Sequence, residues 1–377
     1  MKYYFKIANT VVEISFDNDE VKDYLEKDFG LLVCQPCEPS IKLEVKNNTD
    51  MLPSDIKNDD KFEFRIKEGY LYQYFSAFQR HFWARYCFCE NRTEVSLFIP
   101  YGNKGIGGQF LSPYFENPFQ SCLIDYFHNT FLALLQSELM QREASLFHCS
   151  AFKLDSFNDA IVLGGGAQCG KSSLMTALSN FEPVEIYAED FAVVTSEHVL
   201  YGYLHQTRVK FSDMNGAGLK FQPNKDGIIS GVLNRCNKRV YSLLTNNKNG
   251  RHFSIKEYYH GRTINNRTPL KHRIFLLTRG DSDSSVFPVE LKSFCRIQTE
   301  IMLSEFRNMR GAMGLFKNLL ERKGIEWREE YLYNKICGIY EKTFKDLQCY
   351  NLEISYYPQV ESAAKELKRI ILNLDNK

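Results

Sequence analysis

Residues 161–178 read IVLGGGAQCGKSSLMTAL, in which Gly165, Gly170, Lys171 and Ser172 stand at the Gly-x-x-x-x-Gly-Lys-Ser spacing of a phosphate loop. The flanks fit that reading: 160–163 is a short apolar run with strand character, and 171–178 carries a helical pattern. A strand that enters a glycine-rich turn and leaves as a helix offers successive backbone N–H groups and a positive dipole end to one anion. The expected cradle is Gly165, Gly166, Ala167, Gln168, Cys169, Gly170, Lys171, Ser172 and Ser173. Lys171 is expected to reach the β- and γ-phosphates of a nucleoside triphosphate, and Ser172 to place its hydroxyl on magnesium. ATP and Mg2+ are the cofactors this stretch implies.

A phosphoryl-transfer site needs a second anchor for the metal, usually a carboxylate at the end of a neighbouring strand. Glu189 and Asp190 close the strand-like run 184–187 and occupy that place. One would lie on the metal and the other accept the proton of an attacking hydroxyl. His148 lies in the strand-like run 147–154 before the loop; apolar neighbours alone would make it a core histidine. Candidate cations for phosphate or an anionic substrate are Arg208, Lys210, Lys238, Arg239 and Arg279, of which Arg279, directly after the apolar run 273–278, is best placed.

The 377 residues suffice for two or more domains with their own cores. A net charge of +1 argues against a coat for nucleic acid or an anionic membrane. The N-terminus lacks the apolar centre of a secretion signal, and no apolar run approaches membrane-spanning length, so a cytoplasmic protein is expected. Eleven scattered cysteines read as reduced thiols, with Cys34-x-x-Cys37 and Cys87-x-Cys89 as separate pairs.

Period-two runs at 11–16, 41–45, 62–66, 70–74 and 95–99 predict a strand-rich α+β module over 1–118. It includes a helix capped by Asp19, striped by Val21, Tyr24, Leu25 and Phe29, and ended by Gly30. A long helix follows, with Leu123, Tyr126, Phe127, Phe131, Leu134 and Leu135 on one face, connecting the modules over 119–145. The rest, 146–377, reads as the phosphate-loop domain. Its strands are expected at 147–154, 160–163, 184–187, 191–195, 273–278 and 352–356, and its helices at 171–178, 299–309, 315–321, 329–344 and 360–374. The polar stretches 223–237 and 245–251 read as mobile loops.

The segment 147–194, FHCSAFKLDSFNDAIVLGGGAQCGKSSLMTALSNFEPVEIYAEDFAVV, resembles the HPr kinase/phosphorylase family and its HPr-kinase-like relatives, including those that modify peptides. Four matches carry the resemblance: His148, a short turn, the loop from Gly165 to Ser172, and the acidic pair Glu189 and Asp190. Fainter likeness extends to KRVYSL, RIFLLTRG and the closing CYNLEISYYPQVESAAKEL. The resemblance implies an α/β fold in which a mixed-sheet kinase domain, similar to that of phosphoenolpyruvate carboxykinases, follows the α+β module. It also implies Asp190 as general base, Glu189 as partner carboxylate near magnesium, His148 on the phosphate side, and an oligomer. Ser173 stands where the bifunctional enzymes carry glutamate, their glycine-rich signature has no match, and Glu189 replaces an aspartate. These departures point away from phosphorolysis and from HPr itself. The activity expected is ATP- and Mg2+-dependent phosphorylation of a hydroxyl, on a serine of a peptide or protein or else on a small-molecule alcohol. The alternatives are a nucleotide-sensing module without transfer and a carboxykinase-like metabolic enzyme.

Overall fold

Alternation in the first hundred residues builds a seven-stranded mixed sheet in the order β1-β2-β3-β7-β6-β5-β4. The strands are β1 (Lys2–Ile7), β2 (Thr10–Ser15), β3 (Ile41–Lys46), β4 (Phe64–Lys67), β5 (Tyr70–Ala77), β6 (Arg80–Phe88) and β7 (Thr93–Phe98). β3 pairs parallel with both β2 and β7, and the remaining pairs are antiparallel. The computed structural model describes residues 1–59, 62–77, 80–100, 118–157, 159–203, 207–210, 250–259, 261–280, 284–355 and 360–375. The expected loops at 223–237 and most of 245–251, the KRVYSL segment, Lys238 and Arg239 lie outside the described residues.

The first helix, Asp19–Phe29, is capped by Asn18 rather than Asp19: the Asn18 side chain accepts from the Glu20 N–H at 2.7 Å. Asp19 instead supplies first-turn negative charge near the helix N-terminus. Gly30 does end the helix, in right-handed geometry.

The long helix expected at 119–143 is in fact two α-helices, Pro118–Asp125 and Phe131–Met140, joined by a π-helical turn, Tyr126–Thr130. Its apolar stripe proves too narrow a description, because every residue from Phe131 to Met140 is buried. The helix lies between two sheets, and its polar side chains find partners in each. Gln136 accepts from the Leu146 N–H and donates to the Ser145 hydroxyl, and Glu138 accepts from the Thr93 hydroxyl at 3.1 Å. Such pairing removes most of the cost of burying those groups. One continuous apolar core therefore runs from Phe5, Tyr86 and Leu97 through Phe127 and Phe131 to Leu146, Val193 and Leu303.

The second sheet is mixed as well, with β16-β12-β11-β8-β9-β17-β19-β18 as its main path. Its members are β8 (Ala144–Leu154), β9 (Ile161–Gly164), β10 (Val184–Ala188), β11 (Phe191–Thr195), β12 (Val199–Tyr203), β15 (Thr263–Ile264), β16 (Arg267–Pro269), β17 (Arg273–Gly280), β18 (Ser285–Pro288) and β19 (Gln348–Ser355); β13 (Thr207–Lys210) and β14 (Gly250–Phe253) pair separately. β9, β17 and β19 run parallel, whereas β8 is antiparallel to β9, β10 and β11. The fold is thus α/β with two mixed sheets. One face of this sheet joins the shared core, under the helices Leu291–Asn308 and Glu329–Phe344. The other face carries Lys171–Leu178 and the C-terminal helix Val360–Asp375, packed over Leu163, Phe275 and Leu352. Among the described residues no helix is long and apolar enough to cross a membrane.

An ion pair ties the turn after Lys171–Leu178 to the C-terminal helix. Glu182 Oε1 lies 2.7 Å from Lys368 Nζ, and Oε2 accepts, weakly, from the Ser156 N–H. Burial alone would raise the Glu182 carboxyl, but Lys368 and Ser156 outweigh it and hold it below the ordinary carboxylate range. A depressed carboxyl contributes stability above its unfolded value, about 4.3, and loses it as pH falls through the folded value. Glu182→Gln is expected to lower stability at pH 7 by about 0.5–1 kcal/mol. Urea melts should show that deficit shrinking to nothing in strong acid.

Candidate active site

The register of β8 assembles the site. Its first half pairs with β11, setting His148 opposite Phe191, and its second half pairs with β10, setting Ala151 opposite Ala188. Between these partners the chain makes the turn that carries Glu189 and Asp190, held by a bond from the Cys149 N–H to the Asp190 carbonyl at 3.1 Å. On its other side Cys149 pairs with Gly164, the last residue of β9 before the glycine-rich loop. One point on one strand therefore lies between the acidic pair and the loop. The Cys149 thiol is driven well above its usual range by burial, with Lys171 opposing and Asp190 adding to the shift.

Two loop glycines adopt backbone that side chains disfavour: Gly165 has φ 151° and Gly170 has φ 100°. A Cβ at Gly165 would lie 2.8 Å from the Leu277 carbonyl, so loop and β17 approach too closely for any larger residue. Lys171, 6% exposed, opens the helix and bends back, its ammonium donating to the carbonyls of Gly165 at 2.9 Å and Gly166 at 3.0 Å. Ala167 and Gln168 are exposed at the loop tip, Cys169 and Ser172 are half-buried, and Ser173 is exposed on the first turn. Arg279 extends from β17 onto the loop and donates from Nε to the Cys169 carbonyl at 2.7 Å. A Cβ on Gly170 would meet its guanidinium at 2.1 Å. Gly170→Ala should therefore push Arg279 off the loop and cost about 1–2 kcal/mol through backbone strain alone. Melting temperature and nucleotide affinity, measured on the same preparation, should both fall.

His148 is the hub, 3% exposed and stacked on Phe191 with ring centroids 5.3 Å apart. Its Nε2 lies 3.0 Å from Asp190 Oδ1 and 3.4 Å from Lys171 Nζ. Asp190 has φ 68°, and the Phe191 N–H bonds to the Glu189 carbonyl at 2.8 Å, which makes Asp190 the centre of a tight three-residue turn. A non-glycine residue in that region carries about 1–3 kcal/mol of strain and persists only where its surroundings fix it. The turn also separates the two acids. Asp190 keeps a side chain 49% exposed at the mouth of the loop, whereas Glu189 is 3% exposed and faces Tyr259 behind it. Burial first, then the Glu189 charge, raises the Tyr259 phenol well above its usual range.

Of the residues singled out in the sequence, His148, Lys171, Asp190 and Arg279 meet at the loop, with Glu189 one residue away on the buried side. Arg208 and Lys210 belong to β13, and their side chains lie outside what the structure describes. Two residues emerge only from the fold. Gln298 is buried against Gly164, and Glu305 places Oε1 3.4 Å from His148 Nδ1. Both lie on Leu291–Asn308, which starts eight residues before the helix expected there and packs across β8. Polar Gln298 and Thr299 inside a mostly apolar buried stripe were the local signal of that edge.

The residues present fit the groups that the sequence implies. Gly165 and Gly170 take backbone angles that suit a phosphate-cradling loop, and a hydroxyl such as that of Ser172 and carboxylates such as those of Glu189 and Asp190 are oxygen donors of the kind Mg2+ takes alongside phosphate oxygens. Among the described residues no three His, Cys, Asp or Glu side chains converge as a closed metal cage. A scan against protein-family models gives no match to this chain, and a search of curated proteins gives none either.

Proposed function

We propose that this chain is an ATP- and Mg2+-dependent kinase that transfers the γ-phosphate to a hydroxyl, foremost a serine of a peptide or protein and otherwise a small-molecule alcohol. The observation that carries the reading is Asp190, a half-exposed carboxylate held 3.0 Å from His148 at the mouth of a glycine-gated phosphate loop. In this reading the loop N–H groups and Lys171 hold the triphosphate, and Arg279 adds charge beside Cys169. Ser172, with Asp190 or Glu189, would hold Mg2+, which when bound neutralises charge on the phosphates. Asp190 takes the hydroxyl proton as the new O–P bond forms and the bond to the nucleoside diphosphate breaks. His148 orients that carboxylate. The likeness of residues 147–194 to HPr-kinase-like enzymes supports this reading, as does the absence from the described residues of a membrane-spanning helix for a cytoplasmic site of action.

A nucleotide-sensing module without transfer is the second reading. It is favoured by the way Lys171 rests on loop carbonyls and Asp190 on His148, which satisfies these groups within the protein. The test is to incubate purified protein with labelled ATP, Mg2+ and panels of serine peptides and alcohols. Phosphate esters in the native protein support the kinase. Nucleotide binding without ester across the whole panel overturns it in favour of sensing.

A further inference from the structure

His148 is buried, and both of its ring nitrogens face carboxylates: Nε2 meets Asp190 at 3.0 Å, and Nδ1 lies 3.4 Å from Glu305 Oε1. The contact with Glu305 falls outside hydrogen-bond geometry, and Nδ1 makes no hydrogen bond to any described group. A buried N–H without an acceptor is costly, and a bare nitrogen turned toward a carboxylate is repelled by it. A proton on Nδ1 turns that contact from repulsive to attractive and leaves Glu305 as the acceptor within reach of it. Among the described residues the other charged group that faces the ring is Lys171, 3.4 Å from Nε2, while Phe191 covers one face.

Glu305 is suited to this work. It sits in the last turn of Leu291–Asn308, where Gln298, Met302 and Phe306 are buried and fix the helix against the sheet. Its side chain is 19% exposed, so it is neither a solvated surface acid nor a sealed one. Among the described residues Glu305 makes no other ion pair. An acid on a rigid helix that addresses the far nitrogen of a histidine, whose near nitrogen addresses the reacting group, is the arrangement by which an imidazole is oriented.

We propose that Glu305 is a positioning residue that holds the Nδ1–H of His148 and so fixes the ring with Nε2 directed at Asp190. The proposal deepens the kinase reading and rests on it for its catalytic consequence, but the contact itself can be tested without any acceptor. Glu305→Ala suits the test, since alanine favours the helix. In native protein labelled with nitrogen-15 at histidine, a ring N–H resonance protected from exchange is expected, assigned to His148 by its loss in His148→Gln. Glu305→Ala should abolish the Nδ1–H signal, and Glu305→Gln, which keeps a carbonyl acceptor at the same reach, should retain it. With an acceptor in hand, Glu305→Ala should lower kcat roughly 10- to 100-fold while KM for ATP stays within about twofold, and Glu305→Gln should recover most of the loss. Persistence of the Nδ1–H signal in Glu305→Ala overturns the proposal whatever the activity. Loss of that signal in a protein that transfers phosphate to nothing would instead uphold the contact and count against the kinase.

Discussion

Asp190→Asn is expected to bind ATP as the native protein does and to lose phosphoryl transfer by about 10²- to 10⁴-fold, the range that general-base catalysis contributes. Asparagine keeps the size of the side chain and an oxygen that can accept from His148, so the turn at φ 68° and the bond to the Cys149 N–H should survive. Asparagine also tolerates left-handed backbone well, which makes this substitution a test of charge rather than of folding. Lys171→Ala is the necessary contrast. It removes the one ammonium bound within the loop and should cut nucleotide affinity as well as turnover. A split in which Asp190→Asn changes kcat while Lys171→Ala changes binding assigns base and donor clamp separately. Full transfer in Asp190→Asn would remove Asp190 from the chemistry.

Phe131→Ala is expected to cost about 3–5 kcal/mol, a large share of the roughly 5–15 kcal/mol by which folded domains are held. The ring is fully buried between the two sheets, with Phe127 at 5.0 Å, Tyr126 at 6.3 Å and Phe5 at 6.4 Å between centroids. Those neighbours are rigid rings of the π-helical turn and of β1, which collapse poorly into the space a missing ring would leave. Because the same core continues to Leu146 and Val193 beside the site, the loss should weaken both sheets together. Urea unfolding followed by tryptophan fluorescence and by nucleotide binding should show one transition shifted for both probes. A loss below about 1 kcal/mol would contradict the shared core.

Short-range patterns were legible where one period and one cap decide the structure. Lys171–Leu178, Glu329–Phe344 and Phe191–Thr195 begin and end where their sequences predict, since each is bounded by a glycine, a charged turn or a polar break. β6 is not legible because its residues, RHFWARYCF, set polar and apolar side chains in runs without a two-residue period. The helix Phe131–Met140 misled in another way, since a helix buried on all sides still displays an apolar stripe.

The site follows the same division. A loop spacing and an acid after a strand are local signals, and they led to Lys171 and Asp190. The separation of Asp190 from Glu189 depends on a single backbone angle that no residue type announces. Glu305 depends on a helix far along the chain crossing β8, and its own neighbourhood in the sequence reads as an ordinary charged helix face.

Everything proposed for the chemistry presupposes that residues 165–172 grip the phosphates of a nucleotide. The direct measurement is equilibrium binding of ATP and of AMP in the presence of Mg2+, by calorimetry, to native protein and to Lys171→Ala. ATP is expected to bind the native protein, AMP to bind at least about tenfold more weakly, and Lys171→Ala to lose the preference. Binding that ignores both the phosphate count and Lys171, or no binding of ATP at all, would contradict that expectation.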